Sequence, residues 1–226
     1  MKLLNFPLPR TNNYWIYTLL GLVVFEIFLI PFFPPPWHRT MYVILYTFIY
    51  LVATVTATKN RKWFLWLAIA TLVLQWFSII LNLTFLIWIS SIMNMIFFTL
   101  IVVDIIRQLV SASNVSVRII LVSIIGYLLV GLMFSMIILL VMTVDPGAFS
   151  FSSARIPAAE GTTGLSEYIY FCFITLCTVG YGDVIPLEPY SRSLTTMICV
   201  TGQLYIAVII AVLIGKFASQ TRQSGK

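Results

Sequence analysis

The sequence predicts an all-α membrane protein with six transmembrane helices and one additional re-entrant helix. Its 226 residues are 61% hydrophobic and only 9% charged, and the mean hydropathy is +1.03. Soluble domains are about half apolar and about a quarter charged, and a chain of this length cannot bury so much apolar surface in one water-soluble core. The composition therefore excludes a soluble enzyme, a disordered tail and a fibrous protein.

Six apolar segments reach the length of about 20 residues that a helix needs to cross a bilayer. They cover residues 14–33, 40–58, 62–81, 85–107, 117–144 and 192–217. Proline-rich, charged or polar residues separate them at 31–37, 58–62, 82–84 and 111–116, and a loop rich in glycine and proline covers 145–164. The first span ends in prolines and lacks a signal-peptide cleavage site, so we expect it to be retained.

The charges predict the orientation in the membrane. The net charge is +6, but the basic residues form no stripe, so we expect no nucleic-acid partner. With a cytoplasmic N-terminus and six crossings, only three basic residues fall outside, Arg39, Arg155 and Arg192. Ten fall inside: Lys2, Arg10, Lys59, Arg61, Lys62, Arg107, Arg118, Lys216, Arg222 and Lys226. This bias favours cytoplasmic N- and C-termini.

The segment 165–190 does not fit a seventh crossing. Residues 165–177 form an apolar stretch of about 13 residues, a length typical of a helix that enters the membrane and returns on the same face. Ser166 is the expected N-cap, and Glu167 lies near the positive helix end. The sequence TVGYGD (178–183) follows. Irregular backbone at membrane depth occurs only where it is buried in protein or lines a water-filled cavity.

The TVGYGD segment has the properties of an ion-binding loop. A dehydrated cation needs oxygen ligands, and backbone carbonyls supply dipoles without a net charge that would trap the ion. Glycines at 180 and 182 permit the unusual backbone angles that turn consecutive carbonyls to one side. One loop cannot surround an ion, and the chain has one such loop, so we expect a homotetramer. A chance glycine turn is the alternative, which the preceding half-length helix and the two flanking spans disfavour.

This arrangement resembles the potassium-channel superfamily, and more narrowly its prokaryotic six-span, voltage-gated-like channels, here with a charge-poor fourth span. The resemblance covers about residues 117–219. It implies a peripheral domain (1–110) and a pore domain (111–226). The pore domain would comprise an outer helix 117–144, a pore helix 165–177, a filter 178–183 and an inner helix 192–217. The implied function is passive K+ conduction across a prokaryotic plasma membrane, with bound K+ ions and no other cofactor.

The resemblance also implies residue roles. The carbonyls that would form the stacked K+ sites, with the Thr178 hydroxyl, are those of Thr178, Val179, Gly180 and Tyr181. The residues that would support the filter are Gly182, Asp183, Tyr170 and Thr175. We expect the Tyr170 hydroxyl to bond Asp183. Since a related non-selective pattern has Asp in place of Tyr181, selectivity for K+ over Na+ is favoured, and a non-selective cation channel is the alternative.

The sixth span carries two glycines and a stripe of isoleucines. Gly202 stands at the family's inner-helix hinge position, and a glycine costs a helix roughly 1 kcal/mol relative to Ala. A bend or close packing against the pore helix would explain it. Ile206, Ile210 and Ile214 recur at four-residue spacing and would face the pore, where they could close it by dewetting. Packing against the fifth span is the alternative. Gly215 would let four helices cross closely.

The first four spans predict little voltage sensing. The fourth has no basic residue before Arg107, whereas steep gating needs several charges, because each is worth about 2.3 kcal/mol per 100 mV. Asp104 is expected to pair with Arg107. Glu26 is the one acid well inside an early span. It is either a candidate proton or ligand sensor, or a protonated group bonded to Tyr or Ser of a neighbouring helix.

Other classes of function fit less well. The chain is not expected to be an enzyme, because His38 is its only histidine and no GxSx or HExxH motif is present. A secondary transporter predicts inverted repeats with paired broken helices, and the chain has a single broken element. A non-conducting structural subunit is a further alternative.

Overall fold

The computed structural model describes residues 13–56, 61–81, 84–112, 116–151 and 164–224. Over these residues the chain forms helices α1 (Asn13–Val24), α2 (Pro35–Thr56), α3 (Arg61–Leu81), α4 (Thr84–Ser111), α5 (Val117–Val144), α6 (Leu165–Leu176) and α7 (Pro189–Ser224). Two short strands, β1 (Phe149–Phe151) and β2 (Val184–Pro186), flank α6.

Five helical segments among the described residues are long and apolar enough to cross a membrane. They are Asn13–Phe32, Pro36–Thr56, Trp88–Ser111, Val117–Val144 and Pro189–Ala218. Two further apolar stretches are shorter, Lys62–Ser78 in α3 and Leu165–Leu176 in α6. The chain is therefore a multi-pass helical membrane protein, and the crossing by α3 that would complete six spans stays a prediction.

The sequence predicted one helix for the first span, but the structure shows an irregular one. After α1, a π-helical turn covers Phe25–Leu29 and a 3-10 turn covers Ile30–Phe32. Pro31 accounts for the change, because proline has no N–H and its ring collides with the carbonyl four residues earlier in a regular helix. The amide of Ile30 accordingly bonds the carbonyl of Phe25, five residues back. Glu26 lies in this widened turn.

The helices pack around α5. Helices α1 and α4 both contact α5 of the same chain, and α6 packs against α5 and α7. One hydrophobic core runs continuously from α1 and α2 to α6 and α7. A second cluster forms where α4 and α5 approach α7, built on Leu109, Ala112 and Ile119 with Ile209, Val212 and Leu213 packed against them.

The helix ends near α6 differ from the prediction in two places. Helix α7 (Pro189–Ser224) contains the predicted span 192–217 and extends beyond it at both ends; proline is favoured at a first helical position. Helix α6 begins at Leu165 directly after Gly164, so Ser166 lies inside the first turn and is not the N-cap. The end of α6 at Leu176 agrees with the predicted 177 to within one residue.

The two strands correct the all-α prediction locally. They pair antiparallel, with Phe149 opposite Pro186 and Phe151 opposite Val184, and Leu187 N–H donates to Ala148 O at 3.0 Å. Strand β1 lies within the segment 145–164 that the sequence predicted as a loop. Each strand is only three residues long, too short for an alternation of apolar and polar residues to be recognisable.

Several predictions concern residues outside the described ranges. Among the charges used for orientation these are Lys2, Arg10, Lys59, Arg155 and Lys226. The orientation, and the division at residues 110 and 111 into two domains, therefore stay predictions. On α4, Asp104 is buried and accepts a hydrogen bond from Gln108 at 2.9 Å, while Arg107 is exposed. Asp104 is thus held inside the bundle with Gln108 as one partner, and its predicted pair with Arg107 stays a prediction.

Candidate functional site: the α6 to α7 loop

Helix α6 is held by an apolar face at helical spacing. Leu165, Ile169, Cys172 and Leu176 are all buried and recur at intervals of three and four residues, the period of one helix face. A neighbouring side chain, Phe173, lies against Gly131 of α5, where a Cβ would come within 2.7 Å of the ring carbon Cε1. No sequence pattern predicts this contact, because the two residues are far apart in the chain.

The loop after α6 begins by capping that helix. The amide of Thr178 donates to Thr175 O at 3.0 Å. The amides of Val179 and Gly180 both donate to Ile174 O, at 2.8 and 3.2 Å. The last carbonyls of a helix otherwise lack partners, so these bonds fix the first three loop residues onto the helix end.

Every second residue of the loop has a left-handed backbone. The φ angles are +60° at Thr178, +55° at Gly180 and +80° at Gly182. The unusual angles that the sequence predicted for the two glycines are present. Thr178 was not predicted to share them, and a β-branched residue with this φ is strained by about 1–3 kcal/mol.

The carbonyls of loop residues 178–181 have no hydrogen-bond partner in the part of the chain that the structure describes. Among the described residues, no hydrogen bond ends on the carbonyl oxygens of residues 178–181. The side chains of Val179 and Tyr181 are 51% and 72% exposed. The amides of residues 178–180 donate to carbonyls of α6. The carbonyl oxygens of 178–181 are therefore the main polar groups of this segment that can bind a ligand.

Asp183 is anchored on both carboxylate oxygens. Tyr170 Oη donates to Asp183 Oδ2 at 2.6 Å, the hydrogen bond that the sequence predicted. The amide of Val184 donates to Asp183 Oδ1 at 3.1 Å. Glu167, one turn before Tyr170, has its pKa raised by burial and by the nearby charge of Asp183. Thr175 is buried behind the loop, as predicted, and its carbonyl accepts the Thr178 amide.

Gly202 lies where α7 packs closely against the end of α6. A Cβ at this position would collide with the carbonyl oxygen of Leu176 and would lie 2.9 Å from Leu176 Cγ. Helix α7 is continuous through Gly202. Of the two explanations left open by the sequence, close packing against the short helix is therefore present in the structure.

The isoleucine stripe of α7 faces away from the rest of the chain. Ile206, Ile210 and Ile214 are 38%, 51% and 64% exposed. The opposite side of α7 carries the contacts, with Tyr205 Oη donating to Ser123 O on α5 at 3.0 Å. Packing against α5 therefore does not explain the stripe. Gly215 has no atom within 4 Å of where a Cβ would stand.

A second polar contact ties the end of α5 to the start of α7. Tyr190 donates to Asp145 Oδ2, and Gly147 N–H donates to Asp145 Oδ1 at 2.9 Å. These two hydrogen bonds hold the pKa of Asp145 below its usual range. Glu26, by contrast, is not part of the loop site. It is buried between α1 and α2.

Comparison with known proteins finds a similarity to ion channels in the part of the chain that contains this loop. Residues 136–219 match a protein family described as "Ion channel". The matched region comprises the last third of α5, all of α6, the loop 178–183 and most of α7. The chain is thus a multi-pass helical membrane protein with a region that is similar to ion channels.

Individual relatives are similar to this chain over short regions only. "Two-pore potassium channel 5" of Arabidopsis thaliana is 25% identical over 75 residues, covering 33% of this chain and 18% of the relative. "Potassium voltage-gated channel protein shk-1" of Caenorhabditis elegans is 30% identical over 28% of this chain and 12% of the relative. "Two-pore potassium channel 1" of Arabidopsis thaliana is 34% identical over 22% of this chain and 14% of the relative. The matches thus span less than a fifth of the length of these relatives. No solved structure matches the chain.

Proposed function

We propose that the chain is one subunit of a potassium-selective channel, in which four copies of the loop 178–183 surround a K+ pathway. The observation that carries this proposal is the hydrogen bonding of the loop. Its first amides are bound to α6, and the carbonyls of 178–181 are free of partners within the described chain. Oxygen atoms of this kind can replace the hydration shell of a cation, and rings of carbonyls do so in selectivity filters.

The tetramer follows from the number of ligands. One loop offers one oxygen at each level, while a dehydrated K+ needs several around it, so identical copies must meet on an axis. Such an assembly would either cover the exposed apolar side chains of the single chain or turn them towards the pore. These side chains are Val179, Tyr181, Ile206, Ile210 and Ile214. Native mass spectrometry of the full chain in detergent is expected to give a tetramer.

The names of the relatives support K+ as the conducted ion. Each of the three relatives described above is called a potassium channel. The direct test is ion flux from liposomes that contain the purified chain, under K+, Rb+ and Na+ gradients. We expect K+ and Rb+ flux with little Na+ flux. Equal Na+ flux would favour a non-selective cation channel, and no flux would overturn the proposal.

Tyr181 offers a test of selectivity in the same assay. We expect Tyr181→Asp to conduct but to lose preference for K+ over Na+, because a carboxylate beside the carbonyl row adds a net charge that attracts either ion. Tyr181→Phe is the matched control. It keeps the ring and the backbone and removes only the hydroxyl, so it should stay selective if the carbonyls are the ligands.

We propose further that Ile206, Ile210 and Ile214 form the gate. An apolar constriction stops conduction when water leaves it, so Ile210→Asn is expected to raise resting K+ flux, while Ile210→Val should not. With a single basic residue near the end of α4, Arg107, the channel should respond weakly to voltage. A plasma membrane location in a prokaryotic cell, with both termini cytoplasmic, completes the proposal.

A further inference from the structure

Helix α2 carries a stripe of polar aromatic side chains into the helical bundle. His38, Tyr42, Tyr46 and Tyr50 are spaced four residues apart, and all four are buried. Neighbouring rings in the stripe lie close together: 6.4 Å between the centroids of His38 and Tyr42, and 6.2 Å between Tyr46 and Tyr50. At the inner end, Tyr50 Oη donates to Asn94 Oδ1 of α4 at 2.8 Å.

Glu26 of α1 lies against this stripe. Its side chain has no exposed surface, and neither carboxyl oxygen has a hydrogen bond of good geometry to any described residue. The hydroxyls of Tyr42 and Tyr46 are likewise buried without such a bond. The titratable groups that face Glu26 are the tyrosines of α2, nearest of all Tyr46. Helix α5 also packs against α1, and its Arg118 lies near Ile16 and Leu19 of that helix. Among the described residues, no charged group of α5 acts on Glu26 itself.

The same stripe touches the start of α6. The hydroxyl of Tyr42 lies beside Ser166 and close to Glu167, both in the first turn of that helix. Asp183, at the end of the loop 178–183, in turn acts electrostatically on Glu167. A continuous set of neighbouring polar groups therefore leads from Glu26 through Tyr42 to α6, whose other end caps the loop.

His38 stands at the end of the stripe nearest the turn between α1 and α2. It lies in the first turn of α2, and its Nε2 is 2.7 Å from Phe33 O in that turn. The adjacent Trp37 is 63% exposed. From this end of α2 the buried polar side chains follow in the order His38, Tyr42 and Tyr46, and Glu26 lies nearest to Tyr46.

We propose that Glu26 is a proton-binding site reached from the α1–α2 turn, and that its protonation state sets how α2 holds the first turn of α6. A neutral carboxylic acid suits a buried site without a cation. An ionised carboxylate only accepts hydrogen bonds, so it attracts the hydroxyls of Tyr42 and Tyr46. Movement of Tyr42 towards Glu26 changes its contact with Ser166. The consequence for conduction rests on the proposed channel function; the proton site itself does not.

The proton site is tested by infrared difference spectroscopy of the full chain in liposomes during a pH titration. We expect a protonated-carboxyl band that disappears on alkalinisation in the wild type and is missing in Glu26→Gln, a variant of nearly the same shape as the neutral acid. Glu167→Gln, which alters the other carboxyl near Tyr42, should keep the band. A band that persists in Glu26→Gln, or that is lost in Glu167→Gln, overturns the proposal.

The coupling to α6 is tested with Tyr42→Phe, which keeps the ring and removes the hydroxyl. Amide hydrogen exchange of residues 165–170 should change across the pH range of the band in the wild type and should not change in Tyr42→Phe, although the band stays. K+ flux should follow pH by about fivefold or more in the wild type, a common size for coupling between sites, and be independent of pH in Glu26→Gln.

Failure of the two proposals can be told apart. If no variant conducts K+ but the band and the exchange behave as described, the channel function fails and the proton site stands. If the carboxyl band persists in Glu26→Gln and K+ flux keeps the same pH dependence there, the proton site is overturned and the channel function stands.

Discussion

The hydroxyl of Tyr170 on α6 donates to Asp183 Oδ2 at 2.6 Å. This hydrogen bond joins α6 to Asp183, the last residue of the loop 178–183 that follows the helix. Tyr170→Phe removes that donor alone. A hydrogen bond to a charged group contributes about 1.5–3 kcal/mol, so without it we expect the loop to hold its conformation less well. The measurement is the fraction of K+ flux that survives incubation in K+-free buffer, which should fall in the variant.

Tyr168→Phe is the control for this experiment. Tyr168 lies two residues earlier on α6, and its ring packs near Phe151, with 5.7 Å between centroids. Loss of its hydroxyl leaves Asp183 untouched, so survival of flux should match the wild type. An equal fall in both variants would mean that the Asp183 bond has no special part in supporting the loop.

Gly202 permits the contact between α7 and α6, so Gly202→Ala should destabilise the protein. The added Cβ collides with Leu176 O, and overpacking of this kind costs about 1–3 kcal/mol. In an open helix the same change would stabilise by up to about 1 kcal/mol. Gly21→Ala on α1, where nothing lies within 4 Å, is the control. The thermal unfolding midpoint should fall for the first and hold or rise for the second. The reverse order would exclude close packing as the reason for Gly202.

Lys216 near the end of α7 caps α4. Its Nζ donates to Leu109 O and, at 2.9 Å, to Val110 O, carbonyls in the last turn of α4 that lack helical partners. Lys216→Met should let this turn fray, at a cost of about 1 kcal/mol, and amide exchange of residues 108–112 should quicken. Lys62→Met, which alters an exposed lysine of α3, should leave that exchange unchanged. Unchanged exchange in Lys216→Met would show that the turn is held by other contacts.

The sequence predicted what depends on local pattern. Apolar length located the spans, and TVGYGD together with the two glycines located the loop and its unusual backbone. It did not predict contacts between residues distant in the chain, such as Phe173 against Gly131 or Tyr42 beside Ser166, because no local period encodes a partner on another helix. The π turn around Glu26 was predictable only in part. Pro31 disrupts the helix there, but proline alone does not specify whether a helix ends, kinks or widens.

The contact between Tyr190 and Asp145 predicts a dependence of stability on pH. Two donors, Tyr190 Oη and Gly147 N–H, hold the pKa of Asp145 below its usual range, which is about 3.9 in an unfolded chain. A carboxyl whose pKa is lowered by folding stabilises the fold at pH values above its unfolded pKa. That contribution disappears as the pH falls through the folded value. The link between the ends of α5 and α7 should therefore weaken only in acid.

Tyr190→Phe isolates this contribution. Without the hydroxyl, the pKa of Asp145 moves back towards its ordinary value, so the variant has less stability to lose in acid. The thermal unfolding midpoint of the wild type should exceed that of Tyr190→Phe at neutral pH, and the difference should close as the pH falls through the range in which Asp145 takes up its proton. Tyr17→Phe, which alters an exposed tyrosine of α1, should follow the wild type throughout. A difference that stays constant at every pH would mean that Tyr190 acts through packing of its ring, because only a hydrogen bond to an ionised carboxylate can vanish when that carboxylate is protonated.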